Sequence, residues 1–266
     1  MFKLAILDLL NGFKKYPFWS YMAWQEIVIR YRRSVLGPFW ITVSTSIYII
    51  AISTVFSSLF NQNIQHYILY MAIGFLIWGY INQTIIESTD SFIAGAGFIK
   101  QIKIERSVFV YQSLARNFYF FLHNSVIIIV CLIFFDSNVT LWSIAKAGIG
   151  FGILSFNLFF VSLSLACICT RFMDLRQIIN SVLQIGFLVT PVMWIPTESM
   201  RSKEFLLTYN PIYHFIEFIR WSLLPKDFPT VIAHPSINFI MIFTIVNITL
   251  SIIIFAKARK NIAYWV

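Results

Sequence analysis

Charged residues are scarce in this chain. They make up 12% of its 266 residues, whereas a soluble globular domain carries about 25%. Apolar residues make up 59%, and the mean hydropathy is +0.77. A surface so poor in charge needs a solvent other than water, and a lipid bilayer is the usual one. The composition therefore indicates a membrane protein rather than a soluble domain.

Signatures of metal sites and catalytic sites are also lacking. The three cysteines lie inside apolar segments without ligand-spaced histidines, which predicts buried free thiols rather than a disulfide framework or a zinc site. The stretch GAGF from Gly95 lacks the ending of a phosphate-binding loop. The net charge of +9 accompanies several apolar runs, which argues against a nucleic-acid-binding domain. We therefore expect no catalytic residue, no metal and no nucleic acid.

Six apolar runs are long enough to cross a bilayer, for which about 20 residues are needed. They cover residues 36–60, 67–86, 117–135, 147–170, 178–195 and 237–256. Fifteen of the 20 Lys and Arg residues lie in the N-terminal segment, in the loops after the second and fourth runs, and in the C-terminal tail. Basic loops stay in the cytoplasm, so both termini are predicted there. The pattern indicates an all-α polytopic protein, with residues 1–35 as a cytoplasmic N-terminus and 36–266 as one transmembrane domain.

A helix lying along the membrane surface is predicted just before the first span. Pro17 suits a first helical turn, and Glu26 and Arg30 have the spacing of an i,i+4 ion pair. Arg30, Arg32 and Arg33 at the end of this helix would face anionic head groups. An apolar stripe recurs at helical spacing: Tyr21, Trp24, Val28 and Tyr31.

The loop after the second span mixes basic and apolar residues more evenly than the rest of the chain. A short exposed helix with apolar anchors is what the groove of a partner protein receives. A helix resting on the bilayer is the alternative interpretation. The candidate docking residues are Phe98, Ile99, Lys100, Ile102, Lys103, Glu105 and Arg106.

The spans contain almost no carboxylates, which argues against coupling to ion transport. They hold hydroxyls, amides and aromatic rings instead, a set that suits stacking on sugars and hydrogen bonding to their hydroxyls. Helix packing and aromatic belts at the membrane surface are the alternative. The candidate glycan-path residues are Tyr48, Trp78, Tyr80, Asn82 and Tyr119.

The segment 197–236 is rich in aromatics but is too broken by prolines to span the membrane. The stretch NPIYHFIEFIRWSLLP within it has the pattern of a short amphipathic helix. Irregular backbone at membrane depth must be shielded by protein. We therefore predict a re-entrant helix pair on the outer side of the membrane before the last span, which the resemblance described below would place in the periplasm.

Four motifs resemble one known family, and they occur in its order along nearly the whole chain. They are RYRRSVLGPFW, FIKQIKIERSVF, TRFMDLRQIINSVLQIGFLVTPVMW and YNPIYHFIEFIRWSLL. They resemble the membrane subunits of type 2 ABC exporters of polysaccharide, the Wzm-like O-antigen, capsule and teichoic acid permeases. The second motif departs from the family in having Glu105 where a proline is familiar.

The resemblance implies a channel-forming permease of the bacterial inner membrane that moves undecaprenyl-pyrophosphate-linked O-antigen. It implies a homodimer that works with two copies of a separate ATPase subunit, which binds the ATP and Mg²⁺, so that this chain holds no cofactor. The segment from Phe98 to Arg106 would be the coupling helix, and Arg30, Arg32 and Arg33 would lie where the lipid pyrophosphate arrives. The outer gate would contain Pro211, Tyr213, Phe215 and Trp221.

Three alternatives remain open at the level of the sequence. Export of capsular polysaccharide or teichoic acid is the alternative within the same class. A drug- or small-molecule-exporting type 2 permease is less favoured by the many aromatic residues. A membrane scaffold without transport activity is opposed by the exposed, coupling-type loop.

Overall fold

The structure, a computed structural model, describes residues 1–33, 37, 39–134, 139–196, 204–224 and 235–266. These ranges form thirteen helices and contain no strand, which confirms the predicted all-α class. The helices are α1 (Phe2–Lys14), α2 (Tyr16–Tyr31), α3 (Phe39–Leu59), α4 (Ile64–Ser88), α5 (Ser91–Ala94), α6 (Ala96–Gln101), α7 (Ser107–Phe134), α8 (Leu141–Arg171), α9 (Leu175–Val189), α10 (Phe205–Thr208), α11 (Pro211–Leu223), α12 (Ile237–Ala258) and α13 (Ile262–Trp265). The domain boundary predicted at residue 35 lies outside the described residues.

Five helices within the described ranges are long and apolar enough to cross a membrane: α3, α4, α7, α8 and α12. They correspond to five of the six predicted spans, although α7 begins at Ser107, ten residues before the predicted start. The sixth predicted span, 178–195, is not confirmed, and its bounds differ: α9 covers Leu175–Val189, which is 15 residues. Pro191 explains this end: it has no N–H to donate, and its ring disfavours the helical conformation of the preceding residue. Thr190 is accordingly extended, with ψ of 132°.

Side-chain caps define the starts of four helices at one end of the bundle. Asn63 accepts from the N–H of Gln65 at the start of α4, and Thr140 and Ser236 cap α8 and α12 in the same way. Asn210 accepts from two backbone N–H groups of α11, which has Pro211 at its first position. Such residues satisfy the unpaired N–H groups of a first helical turn. We call this end of the bundle, where α4, α8, α11 and α12 begin, the loop end.

The buried apolar residues form two clusters. The larger cluster is built around α4, the most buried of the five spans, and includes residues of α8, α9 and α11. The smaller one joins both termini and the α5–α6 segment to α7, α8 and α12, with Leu9, Phe92, Ile99, Phe109 and Ile262 among its members. We call α1, α2, α5, α6 and α13 the terminal layer, which lies at the end of the bundle opposite the loop end.

Helix α1 is an element that the sequence analysis did not anticipate. Its buried Asp8 accepts from the backbone N–H of Ser107 at 3.1 Å and from Arg259 Nε at 2.7 Å. The Ser107 hydroxyl donates to the Asp8 carbonyl oxygen at 2.8 Å. A Cβ on Gly12 would lie 2.1 Å from the Ser107 hydroxyl oxygen, so glycine permits this close approach. Asp8 therefore ties α1 to the start of α7 and to the end of α12.

Candidate functional site

The predicted docking segment divides into an anchored side and an exposed side. Ile99 is buried in the smaller apolar cluster, whereas its neighbours Phe98 and Ile102 are 43% and 49% exposed. Lys100 and Lys103 are exposed as well. We call Phe98, Lys100, Ile102 and Lys103 the docking strip. It combines two apolar side chains with two positive charges, which suits a groove on a partner with acidic residues.

The remaining predicted docking residues hold the segment in place. Helix α6 ends at Gln101, so only the first part of the segment is helical. Arg106 donates to the carbonyl oxygens of Ile99 and Ile104 at 3.5 and 3.3 Å. Glu105 forms an ion pair with Lys15 at 2.5 Å. Partial burial opposes ionisation of Glu105, but the hydrogen bond and charge of Lys15 outweigh it and lower the pKa of the Glu105 carboxyl.

Helix α2 presents its predicted apolar stripe outward. Tyr21 and Trp24 are 63% and 52% exposed, whereas Ala23 and Ile27 face the bundle and are buried. Arg30, Arg32 and Arg33 are all exposed. The ion pairs among the described residues join Glu26 to Arg116 of α7 rather than to Arg30, which corrects the predicted i,i+4 pair.

Arg116 links three helices beneath this surface. It binds Glu26 of α2 and donates to Glu87 of α4 from both Nε and Nη2. Glu87 also accepts from Asn117 at 2.7 Å and from Gln83 at 2.8 Å. Charged hydrogen bonds of this kind are stronger than neutral ones. The network therefore holds α2, the candidate interface helix, against the spans α4 and α7.

A cavity of about 330 Å³ lies beside this network. Arg30 lines it from α2, and its guanidinium carbon lies 5.4 Å from the centre of the Phe120 ring. A Cβ on Gly79 would meet no atom within 4 Å, so the cavity is open at that point. We call it the Arg30 cavity, and its lining includes Thr45, Gly79, Tyr80, Gln83, Asn117 and Asn124. The structure thus brings one cation together with amides and hydroxyls from three spans.

The five candidate glycan-path residues do not form one surface. Only Tyr80 lines the Arg30 cavity, and its hydroxyl donates to Ser155 at 3.1 Å. Tyr48 is 42% exposed and packs on Phe75. Trp78 is buried against Phe187 of α9. Asn82 is half-buried, and Tyr119 packs against Trp24 of α2.

The predicted outer-gate residues are likewise divided between the interior and the surface. Tyr213 and Phe215 are buried, Pro211 is half-buried at the start of α11, and Trp221 is 57% exposed. Lys146 lies between the rings of Trp221 and Trp142, at 5.7 and 5.6 Å from their centres. Such cation–π contacts contribute about 0.5–1 kcal/mol at exposed sites.

The structure also contains a buried arginine that sequence reasoning did not select. Arg220 of α11 is fully buried and donates to the carbonyl oxygens of Pro191 and Val192, both at 2.6 Å. Its guanidinium carbon lies 3.7 Å from the centre of the Tyr70 ring, and Glu217 lies 3.6 Å from Nη1. Because α9 ends at Val189, the carbonyl oxygens of Pro191 and Val192 have no helical hydrogen-bond partners. The side chain of Arg220 from α11 supplies these partners instead.

Tyrosines of α4 complete the support of the segment that follows α9. Tyr67 donates to the carbonyl of Met193. The Tyr70 hydroxyl donates its one proton between the carbonyl oxygens of Trp194 and Pro191, at 2.9 and 3.2 Å. The sequence does contain a signal for this site. Glu217 and Arg220 in the stretch IEFIR are ionisable residues within an otherwise apolar helix, and such residues usually have a functional or structural partner. Their carbonyl partners could not be identified from the sequence.

Comparison with known proteins gives one curated relative. The chain is 24% identical over 193 residues to the O-antigen export system permease protein RfbA of Myxococcus xanthus, and the match covers 71% of this chain and 73% of the relative. No family model matches the chain. The five apolar helices are those expected of a multi-pass membrane protein, and the name of the relative describes a permease. The resemblance to Wzm-like permeases of type 2 ABC exporters, expected from the four motifs, is confirmed by this relative.

Proposed function

We propose that this chain is the permease subunit of an ATP-driven exporter that moves lipid-linked O-antigen polysaccharide across a bacterial inner membrane. The observation that carries the proposal is the similarity to an O-antigen export permease over 71% of the chain. The order of the four motifs supports the same assignment. The terminal layer would lie in the cytoplasm, as the distribution of Lys and Arg predicts.

The docking strip is the surface that we assign to a separate ATPase subunit. Two copies of this chain would each bind one ATPase, and the ATPase pair would hold the ATP and Mg²⁺. The anchoring of Ile99, Glu105 and Arg106 in the terminal layer supports this assignment, because a rigid attachment transmits a partner's movement to the spans. Closure of the ATPase pair would then separate the two permease copies and open a path between them.

The Arg30 cavity is the place that we assign to the pyrophosphate end of an undecaprenyl-linked glycan. An arginine guanidinium can bind phosphate oxygens in a bidentate manner. Arg32 and Arg33 would add positive charge at the membrane surface. The amides of Gln83 and Asn124 line the same cavity and could bond to sugar hydroxyls.

The export proposal is tested by deleting the gene and locating the glycan. We expect lipid-linked polysaccharide to accumulate inside the cells and the surface polysaccharide to disappear, with both restored by the wild-type gene. Normal surface O-antigen in the deletion strain would contradict the proposal. Loss of capsule or of teichoic acid instead would assign the chain to that substrate.

The docking strip is tested by charge reversal at Lys103. We expect Lys103→Glu to abolish co-purification of the ATPase while the thermal unfolding midpoint stays unchanged, because the side chain is exposed. Lys260→Glu is the matched control, since Lys260 is another exposed lysine near the terminal layer. If both variants retained the ATPase equally, the assignment of the docking strip to the ATPase would be wrong.

The Arg30 cavity is tested by filling it from Gly79. Gly79→Leu places its side chain in open space, so we expect the protein to fold and to keep the ATPase but to lose export. Gly79→Ala, which leaves most of the volume free, should retain export. Full export by Gly79→Leu would show that the substrate does not use this cavity.

A further inference from the structure

A second, larger groove runs along the bundle on the side of α1, α7 and α8. Its volume is about 1090 Å³, which exceeds the usual range of about 300–1,000 Å³ for a small-molecule pocket. We call it the lateral groove. Its walls are mainly apolar and aromatic and include Leu10, Phe13, Phe118, Leu122, Phe151 and Phe156.

Three tyrosines line the lateral groove, and the hydroxyls of two of them, Tyr80 and Tyr111, have partners inside the protein. The Tyr80 hydroxyl donates to Ser155 at 3.1 Å, and the Tyr111 hydroxyl donates to the carbonyl oxygen of Leu9 at 3.3 Å. All four residues line the groove. A ligand therefore meets hydrocarbon over most of the wall, which suits a hydrocarbon chain better than a sugar or a peptide backbone.

Two glycines of α8 deepen the groove. Gly148 and Gly152 lie one helical turn apart and both line it. A Cβ on either would meet no atom within 4 Å. The space beside them is thus open, and a larger side chain could fill it without displacing a neighbour.

Positive charge lies at both ends of the α1 face that lines the groove. Lys3 precedes Ile6 by three residues and Lys14 follows Leu10 by four, so these pairs share a face of the helix. Ile6 and Leu10 line the groove, and both lysines are exposed. The terminal-layer end of an apolar groove is therefore flanked by two cations, which is the charge pattern that complements an anionic lipid.

We propose that the lateral groove binds the hydrocarbon chains of an anionic phospholipid, with Lys3 and Lys14, one near each end of α1, as the cations available to its head group. The five apolar helices place the groove beside the bilayer, so membrane lipid reaches it directly. A lipid chain that leaves the bilayer for an apolar groove gains little from the hydrophobic effect. Selectivity therefore comes from the head group, and retention from the packing of the chains against the aromatic walls. The proposal does not depend on the exported substrate.

Photolabelling of the full-length protein in lipid nanodiscs tests the proposal. The nanodiscs contain phosphatidylethanolamine and a trace of phosphatidylglycerol with a photoreactive group on its acyl chain, and labelled peptides are mapped by mass spectrometry. We expect labelling to concentrate on α1 and on residues 148–156. Gly152→Leu should remove most of it, and Gly79→Leu, the matched control outside the groove, should leave it unchanged.

Charge removal tests the head-group site separately. Each lysine near the membrane surface contributes a factor of about five in binding of an anionic lipid, so Lys3→Gln and Lys14→Gln should each lower the labelling by about that factor. Both side chains are exposed, so these variants remain informative if Gly152→Leu does not fold. A photoreactive phosphatidylethanolamine should show no such dependence.

Three results would overturn the proposal. Equal labelling of the groove and of the exposed face of α3, with no effect of the lysines, would mean ordinary contact with bulk lipid. Displacement of the probe by an equal amount of decaprenyl phosphate, but not by phosphatidylglycerol, would assign the groove to an isoprenoid carrier. Efficient disulfide formation between two copies of Gly148→Cys would make the groove an interface between copies of this chain.

Discussion

Arg220 and Arg116 are both shielded arginines that join several helices, but they are satisfied in different ways. Arg220 at the loop end is fully buried and binds two backbone carbonyls. The side chain of Arg116, close to the terminal layer, is 17% exposed and binds the carboxylates of Glu26 and Glu87. Arg220 thus mainly supplies donors to backbone carbonyls outside a helix, with Glu217 3.6 Å from its Nη1, whereas Arg116 pairs with two acidic side chains.

This difference separates a structural role from a linking role. The carbonyls of Pro191 and Val192 follow the end of α9, and the guanidinium from α11 supplies the donors that continued helix would have supplied. The carboxylates that bind Arg116 come from α2 and α4, so Arg116 of α7 helps to fix the position of the candidate interface helix α2 against these spans. We therefore expect Arg220 to matter most for folding and Arg116 to matter most for the position of α2.

The largest effect is expected from Arg220→Met. It removes both donors from the carbonyls of Pro191 and Val192, and it breaks a buried ion pair, a change that costs about 3–5 kcal/mol. A large drop in the thermal unfolding midpoint of the purified protein in detergent would show it. Lys146→Met is the control, because the contacts of this loop-end cation with described residues are cation–π contacts, worth about 0.5–1 kcal/mol. Similar midpoints for the two variants would make the loop-end site unimportant for stability.

Gly74→Ala should have the next largest effect, and it tests the close approach of α4 to Arg220. The added Cβ would lie 1.8 Å from Arg220 Nη2 and 2.7 Å from the Val192 carbonyl oxygen. Overpacking of this kind costs about 1–3 kcal/mol. Gly79→Ala in the same helix meets no atom within 4 Å and should be neutral or stabilising, since alanine favours a helix by about 1 kcal/mol over glycine. The same sign of change in both midpoints would contradict the geometry.

Arg116→Met should destabilise the protein by about 2 kcal/mol, because it leaves two carboxylates without their shared cation in a partly shielded site. The loss is smaller than at Arg220, since Gln83, Asn117 and Gln112 still donate to Glu87 and Glu26. Adding Glu87→Gln should recover part of the stability. Limited proteolysis near Tyr31 would measure release of α2, and an unchanged cleavage rate would refute the linking role.

The smallest effect concerns the Lys15–Glu105 pair and its pH dependence. The pKa of Glu105 is lowered, so the pair stabilises the fold above the unfolded-state pKa of about 4.3, and this contribution disappears as the pH falls through the folded-state pKa. Glu105→Gln should lower the free energy of unfolding at neutral pH by less than about 1 kcal/mol, because the pair is partly exposed. The unfolding midpoint should therefore fall slightly. The wild-type and variant midpoints should converge once the pH has fallen below the folded-state pKa of Glu105. A difference that widens on acidification would contradict the assigned sign.

The positions of most spans and of the two amphipathic segments could be predicted because they depend on local composition. Apolar length marks α3, α4, α7, α8 and α12, and capping residues such as Asn63 and Asn210 mark where helices begin. Pro191 is also visible in the sequence, and it marks the end of α9 at Val189. Helix α1 was missed although it has the same 13 residues as α11, because it lacks the capping side chain and the proline that mark the start of α11.

The sequence by itself determined the class of the protein: its solvent is a bilayer, its fold is helical, and its motifs resemble those of export permeases. Only the tertiary structure decided which polar side chains meet. Arg220 reaches carbonyls 28 and 29 residues away, and Glu26 turns to Arg116 rather than to Arg30. The candidate glycan-path residues, similar in chemistry, are scattered over different surfaces. The physical reason is that composition fixes how long a helix is and where it begins, whereas its rotation about its own axis, set by packing against neighbouring helices, decides where each side chain points.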